Sequence, residues 1–247
     1  MNTFFKFFSA LFICVSILLN LNCSKNSNSE TVASFNGNTI KSLASNAIKG
    51  DKGANQKLQL FDPGMIPVPQ MPDNFIVDSL KIENKMFFYC LLQFPDPEYN
   101  RLAFYDNKGQ LLLLDKSLNG ELSLAFEDVE GVRNLQVVES FISKDALSLK
   151  RLSYYRLEPN LVRLSFRSFF TLAAPDAFFS QDITKINKDT IVTSISIPSK
   201  LAGNVASSDT FIYDNSFGKY ISKKNIFNEV VKQQVNSFNI SKAPNKK

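Results

Sequence analysis

The stretch LSLKRLSYYRLEPNLVRLSFRSFF, residues 147–170, carries side chains that could bind an anion. Pro159 and Asn160 mark a turn, and side chains in the flanking strands should alternate between two faces. If Leu157 pairs with Val162, one face gathers four cations and a tyrosine. These are Lys150, Tyr154, Arg156, Arg163 and Arg167. Because facing like charges destabilise a sheet, this arrangement predicts an anionic partner: a sugar acid, a lipid headgroup or an acidic protein.

The same cations also have a purely structural interpretation. Glu139, Asp145 and Glu158 lie near them in the sequence and could neutralise the arginines, as could water. The face would then be a solvated surface of ion pairs without a ligand. We favour this second interpretation, and the first remains open.

Histidine is absent from the chain, which excludes several common catalytic and metal-binding arrangements. A His-based triad, a Cys–His pair and a histidine-ligated metal are ruled out. No P-loop or dinucleotide fingerprint occurs. A carboxylate pair of the glycosidase type stays open, but its candidates stand at predicted turns, where acidic residues are common. They are Asp96, Glu98, Asp106, Glu127 and Asp128. We therefore expect no enzyme, no cofactor and no metal.

The first 22 residues are typical of an export signal. Lys6 precedes FFSALFICVSILL, residues 7–19, a run of 13 uncharged residues. This length fits the hydrophobic core of a signal peptide. It is shorter than the roughly 20 residues that a membrane-spanning helix needs. Residues 1–22 are therefore predicted to be removed.

The residues before Cys23 are Leu19, Asn20, Leu21 and Asn22. They resemble a bacterial lipoprotein signal, in which a leucine lies three or four residues before the modified cysteine. The usual signal has a small residue directly before that cysteine. Asn22 departs from this pattern and resembles the looser lipobox of spirochaete lipoproteins. The resemblance implies a diacylglycerol thioether and an amide-linked acyl chain on Cys23. It implies nothing about the folded domain.

Several acyl chains on one residue anchor a protein stably, whereas a single chain binds only marginally. We therefore expect a lipid-anchored protein of the cell envelope. Ser24 stands where some bacteria place an inner-membrane retention aspartate, and this favours the outer membrane. The alternative is a secreted protein with an incidental cysteine. The formal net charge of +5 is mild, so the expected partners are the membrane and an anionic ligand or another envelope protein, and not nucleic acid.

The third cysteine, Cys90, lies in the apolar run MFFYCLLQF. Cys14 leaves with the signal peptide and Cys23 is acylated, so no intramolecular disulfide can form. Stability must then come from the core, and Cys90 is expected to be a small buried hydrophobe.

Composition divides the segment before the main domain into two parts. Residues 23–60 are predicted to form a polar tether. Within it, apolar residues at helical spacing predict a short helix; they are Ile40, Leu43, Ala44, Ala47 and Ile48. Residues 61–74 contain four prolines and are predicted to form an extended, Pro-rich connector.

Residues 75–224 alternate short β-like runs with turn residues. The predicted strands are FIVDSLKI, KMFFYCLLQF, RLAFYD, QLLLLD, ELSLAFE, NLQVVESFI, ALSLKRLSYYRL, LVRLSFRSFFTL, DTIVTSISI, DTFIYD and GKYIS. They predict a mainly β fold of antiparallel sheets, arranged as a sandwich, a curved sheet or a propeller-like stack. Residues 225–247 are predicted to form one C-terminal amphipathic helix and a tail.

Three classes of function follow from these patterns. The first, which we favour, is a binding or structural module at the cell envelope. The second is a periplasm-facing carrier or assembly factor for lipids or lipoproteins. It predicts an apolar cavity lined by phenylalanines such as Phe87, Phe88, Phe166 and Phe170. The third is a hydrolase, which predicts two carboxylates about 5–10 Å apart in a cleft.

Overall fold

The computed structural model describes residues 37–60, 71–142, 147–174, 177–199 and 203–241. These residues form mainly antiparallel β-strands, together with three α-helices. The helices are α1 (Gly37–Ile48), α2 (Lys52–Leu60) and α3 (Ile226–Ser241), and a short 3₁₀ helix spans Pro97–Tyr99. All of them belong to one compact unit, Asn36–Lys247.

Twelve strands within the described residues form two antiparallel sheets. The first has the order β1-β2-β3-β4 and contains β1 (Asn74–Ile82), β2 (Lys85–Gln93), β3 (Arg101–Asp106) and β4 (Leu111–Asp115). The second has the order β12-β11-β10-β9-β8-β7-β6-β5 and contains β5 (Glu121–Val129), β6 (Val132–Ile142), β7 (Ser148–Glu158), β8 (Leu161–Ala174), β9 (Ala177–Ile186), β10 (Thr190–Ser199), β11 (Gly203–Asp214) and β12 (Lys219–Ile221). Successive strands are neighbours in both sheets. The prediction of a mainly β, antiparallel fold is confirmed.

The main apolar core lies between the two sheets. The first sheet contributes Phe87, Leu91 and Phe104, and the second contributes Leu135 and Tyr155, all of them buried. The ring centroids of Phe104 and Tyr155 lie 6.0 Å apart. Because burial of apolar area drives folding, this core fixes the first sheet over one face of the second, as in a sandwich.

In the second sheet, β9 separates from β8 over most of the length of β8. β9 pairs with β8 only between Thr171 and Ala174. Beyond that point, side chains replace the missing strand hydrogen bonds. Asn228 of α3 accepts the Phe169 N–H at 3.0 Å, and the Gln181 amide donates to the Phe169 carbonyl at 3.1 Å. The backbone N–H and C=O of Phe169 are therefore satisfied, although β9 diverges from β8 at this point.

The far strands of the second sheet pack back against β7 and β8. Phe166 of β8 meets Phe211 of β11 edge-on, with ring centroids 5.1 Å apart. Tyr220 of β12 lies 6.4 Å from the same ring. Leu152 and Ile191 complete this second apolar cluster. The larger sheet is therefore strongly curved and has its own core on the face away from the first sheet.

The C-terminal helix α3 packs on the second sheet, as its apolar spacing predicts. Phe227 and Val231 are buried against Leu149, Leu172 and Phe179. The predicted C-terminal helix is confirmed.

Residues 37–60, the described part of the predicted polar tether, form two helices. The predicted short helix corresponds to α1, which buries Ile40, Ala44 and Ala47. A second helix, α2, follows at Lys52–Leu60 and was not predicted, because the buried residues described in it, Ala54, Asn55 and Leu58, include few apolar side chains. Residues 1–36, with the predicted signal peptide and Cys23, lie outside the described residues, as does most of the Pro-rich connector. None of the helices described is long and apolar enough to cross a membrane.

Candidate functional site

The β7–β8 hairpin has the predicted register at its tip and a different one further along. Leu157 lies opposite Val162, and Arg156 lies opposite Arg163, as predicted. The register then shifts between Tyr154 and Tyr155. An extra residue in one strand reverses the faces of the side chains that follow it, here as far as a second shift between Lys150 and Arg151. Tyr154 therefore lies opposite Phe166 instead of Ser165.

This bulge separates Arg167 from the other predicted cations. Arg167 lies opposite Ser153 and donates to its hydroxyl through Nε at 2.7 Å. Its Nη2 donates to Asp115 Oδ2 at 2.5 Å and to the Tyr155 hydroxyl at 2.9 Å. The prediction that Arg167 shares a face with Arg156 and Arg163 is wrong. Arg167 belongs to a polar network between the sheets.

Arg156 and Arg163 remain together and share one carboxylate. Arg156 Nε donates to Glu158 Oε1 at 2.8 Å, and Arg163 Nη2 donates to Glu158 Oε2 at 3.3 Å. The Arg156 guanidinium also lies 4.5 Å from the centre of the Tyr213 ring. Arg163 packs under Gly218, where its Nε is buried. Glu158 thus pairs with both arginines, and its single negative charge offsets one of their two positive charges.

Lys150 and Tyr154 of β7 line a cleft of about 540 Å³ that faces residues of β9, where β9 has diverged from β8. We call it the β7–β9 cleft. Five apolar side chains contribute to the remaining lining, namely Val138, Leu152, Phe170, Ile183 and Ile186, and six polar or charged ones lie beside them, including Arg151 and Gln181. Lys150 and Tyr154 are four positions apart on one strand, a distance of about 13 Å. The cleft therefore has a cation near one end, a hydroxyl near the other and apolar side chains between them.

The polar groups at the two ends differ in how they are held. The Tyr154 hydroxyl donates to Glu127 at 3.1 Å and accepts from the Gln136 amide at 3.1 Å. Burial raises the pKa of Tyr154, and the Glu127 charge raises it further, so the hydroxyl stays protonated. Lys150 is exposed, and none of the ion pairs between described residues involves it. Asp182 lies on the opposite wall.

A larger pocket, of about 720 Å³, lies beside β1 and β5, and the side chains of Asn74 and Asn100 in its lining already bind the protein. Asn100 accepts the Phe94 N–H at 2.9 Å and donates to the Gly120 carbonyl at 2.9 Å. Asn74 donates to Gln93 at 3.0 Å. The β7–β9 cleft is therefore the better candidate site, because its lysine is available to a ligand.

Several carboxylates that were considered for catalysis have local structural partners. Asp96 accepts the Glu98 N–H at 3.1 Å, and Asp106 accepts the Lys108 and Gln110 N–H groups, both at 2.8 Å. These contacts are ordinary turn chemistry. Within the described part of the chain, no group of three His, Cys, Asp or Glu residues could hold a metal ion.

Only part of the predicted phenylalanine cavity exists. Phe170 lines the β7–β9 cleft, whereas Phe87 and Phe166 are buried in the two cores. Phe88 lies against Gly37 of α1. The sequence analysis missed Ile183 and Ile186, because β9 was not among the predicted strands.

The comparisons with known proteins assign no family to this chain. No protein-family model matches it, and neither a curated protein nor a solved structure shows significant similarity to it. The functional proposal therefore rests on the site itself and on the residues around Cys23.

Proposed function

We propose that this chain is a lipid-anchored protein of the bacterial cell envelope, with the outer membrane favoured, and that its β domain is a binding module. The module binds an amphipathic small molecule with an acidic group in the β7–β9 cleft. The observation that carries the binding proposal is the position of Lys150, which stands without an ion-pair partner among the described residues, beside an apolar cleft. The anchor rests on the lipobox-like residues before Cys23.

The cleft has the chemistry of a small-molecule site. Its volume of about 540 Å³ falls within the range of such sites, which combine apolar walls with a few polar groups that orient the ligand. Leu152, Phe170 and Ile183 would contact the apolar part of the ligand. The Lys150 ammonium would attract its carboxylate or phosphate as a point charge. Near the other end, the Glu127 carboxylate, which accepts from the Tyr154 hydroxyl, can accept a further hydrogen bond from a hydroxyl or an amide.

A lipid carrier is the second candidate function, and the apolar lining of the cleft favours it. A carrier releases its ligand to an acceptor membrane, whereas a binding module retains it. Transfer of a fluorescent fatty acid from the protein to vesicles, followed over time, separates these two functions.

Replacing Lys150 with Gln is expected to weaken the binding of a long-chain fatty acid about five- to tenfold, which corresponds to one charge-assisted contact. The binding of the matching fatty alcohol should not change, because the alcohol carries no charge. Titration of both ligands by fluorescence competition measures the two affinities. Lys185→Gln is the matched control, since Lys185 is an exposed lysine of β9 outside the cleft lining.

Two results would contradict the binding proposal. In the first, neither ligand binds to the unaltered protein. In the second, the Lys150 variant loses affinity for the acid and for the alcohol to the same extent, and the Lys185 variant does so too. Lys150 would then not hold the acidic group.

Replacing Cys23 with Ala is expected to abolish partitioning of the native protein into detergent, because all acyl chains are attached there. Intact mass should show that the unaltered protein begins at residue 23 and carries acyl mass. Cys14→Ala is the control, since Cys14 lies within the predicted signal peptide and its loss leaves the modified residue in place. A soluble, unacylated native protein would refute the anchor and leave the cleft proposal standing.

A further inference from the structure

Three exposed apolar side chains gather at the β11–β12 hairpin, away from the residues that line the β7–β9 cleft. Phe217, Ile212 and Ile221 are 70%, 61% and 43% exposed. Ile212 and Ile221 are register partners, so their side chains are neighbours on one face of the hairpin. Phe217 lies in the turn that joins the two strands.

The hairpin is well ordered by hydrogen bonds and packing, so these side chains are held in an exposed position. Asp214 Oδ1 accepts the Ser216 N–H at 2.8 Å and the Phe217 N–H at 3.3 Å. On the other face, the rings of Tyr213 and Tyr220 pack with centroids 5.0 Å apart. The buried face is therefore already satisfied, and the apolar face remains uncovered.

Within residues 212–224, positive charges outnumber negative ones, and Asp189 of the neighbouring turn lies close to Tyr213. Lys219, Lys223 and Lys224 are exposed. Asp214 is the one acidic residue in the sequence between 212 and 224. Its carboxylate is occupied by the turn N–H groups. The surface thus combines apolar side chains with an excess of lysine.

We propose that this hairpin surface contacts an anionic lipid bilayer. Its members are Ile212, Phe217, Lys219, Ile221, Lys223 and Lys224. An aromatic side chain with aliphatic neighbours can enter the headgroup region, and each lysine near an anionic leaflet adds electrostatic attraction. The contact requires neither acyl chains on Cys23 nor a ligand in the cleft.

Two other occupants fit this surface less well. Lysine is depleted from protein–protein interfaces, and three exposed lysines lie in this hairpin or directly after it. Pairing of two copies along the edge strand would need a longer strand, since β12 spans only Lys219–Ile221, and short edge strands limit such pairing. An anionic lipid surface satisfies both the apolar and the basic side chains.

The test is sedimentation of the mature chain, residues 23–247 with Cys23→Ala, with vesicles. This chain contains the whole compact unit, so it keeps the fold while lacking an acyl anchor. Vesicles of phosphatidylglycerol and phosphatidylethanolamine should bind it, whereas phosphatidylcholine vesicles should bind much less. Replacing Ile212 and Phe217 with Ser should weaken the anionic binding about tenfold, and Lys219→Gln with Lys223→Gln should do the same.

Ile142→Ser combined with Phe178→Ser is the matched control, because these side chains are 74% and 58% exposed and lie on β6 and β9. The control should leave vesicle binding unchanged. The proposal is overturned if anionic vesicles do not bind the chain, or if the control loses as much binding as the hairpin variants. It is also overturned if light scattering shows that the hairpin variants dissociate a dimer without changing vesicle binding. Fatty-acid titration of the same variants reports separately on the cleft.

Discussion

Asp115→Ala is expected to lower the free energy of unfolding by about 3–5 kcal/mol, the range for breaking a buried ion pair. Asp115 Oδ2 accepts from Arg167 Nη2 and from the Tyr155 hydroxyl, both at 2.5 Å. The side chains of Arg167 and Asp115 are only 17% and 7% exposed. Loss of the carboxylate therefore leaves the guanidinium charge between the sheets without its partner. Urea denaturation measures the effect.

An exposed ion pair of the same length provides the control. Arg133 and Asp128 lie 2.5 Å apart, but their side chains are 42% and 58% exposed. Asp128→Ala should change stability by less than about 1 kcal/mol, because water screens such pairs. Adding Arg167→Met to Asp115→Ala should recover part of the loss, since no buried charge then remains. If the Asp115 and Asp128 variants lose the same free energy of unfolding, burial does not determine how much an ion pair contributes to stability.

The same site should make stability depend on pH in acid. Burial alone would raise the pKa of Asp115, but the Arg167 charge and the hydrogen bonds from Ser117 and Tyr155 outweigh it and hold the pKa below its ordinary value. A lowered pKa in the folded state contributes stability above the unfolded-state pKa, and this contribution is lost as the pH falls below about 4. Stability of the Asp115→Asn variant should therefore fall less steeply in that range.

Most of the sheets could be predicted because their signal is local. Alternating apolar runs separated by turn residues identify β1 to β8 without reference to distant contacts. β9 was missed because its sequence, AFFSQDITKI, places polar residues at its centre. Those residues have partners far along the chain: Gln181 donates to Ser168 and accepts from Thr193. Burial of such polar groups depends on tertiary contacts, which alternation within one strand does not reveal.

The site was only partly predictable for a related reason. The pairing of Arg156 with Arg163 follows from the turn at Pro159, which is a local signal. The bulge that moves Arg167 to the other face cannot be recognised from an alternating sequence. The partner of Arg167, Asp115, comes from the other sheet, so only the folded chain brings them together. The cleft likewise needs β9 as its second wall.

Glu139→Ala is expected to cost about 3–5 kcal/mol, since it removes a fully buried carboxylate from its cation. Glu139 accepts from Arg151 Nη2 at 2.5 Å and Nε at 2.7 Å, and from the Asn119 N–H at 2.8 Å. Glu229→Ala is the control, because Glu229 forms a 2.7 Å pair with Lys232 on the exposed side of α3. A similar loss in both variants would contradict a special role for the buried carboxylate.

Glu139 and Asp115 should also be energetically coupled, because both hold the segment 116–120. In the order of the described strands, this segment is the one place where the chain passes from the first sheet to the second. Asp115 accepts the Ser117 N–H at 2.8 Å, and Arg151 donates to the Ser117 carbonyl at 2.5 Å. Once one network is broken, segment 116–120 becomes less ordered, and the second network then contributes less to stability. The double variant should therefore lose less stability than the sum of the single losses, by about 0.5–3 kcal/mol. If the losses of unfolding free energy measured by urea denaturation are additive, the two networks stabilise segment 116–120 independently.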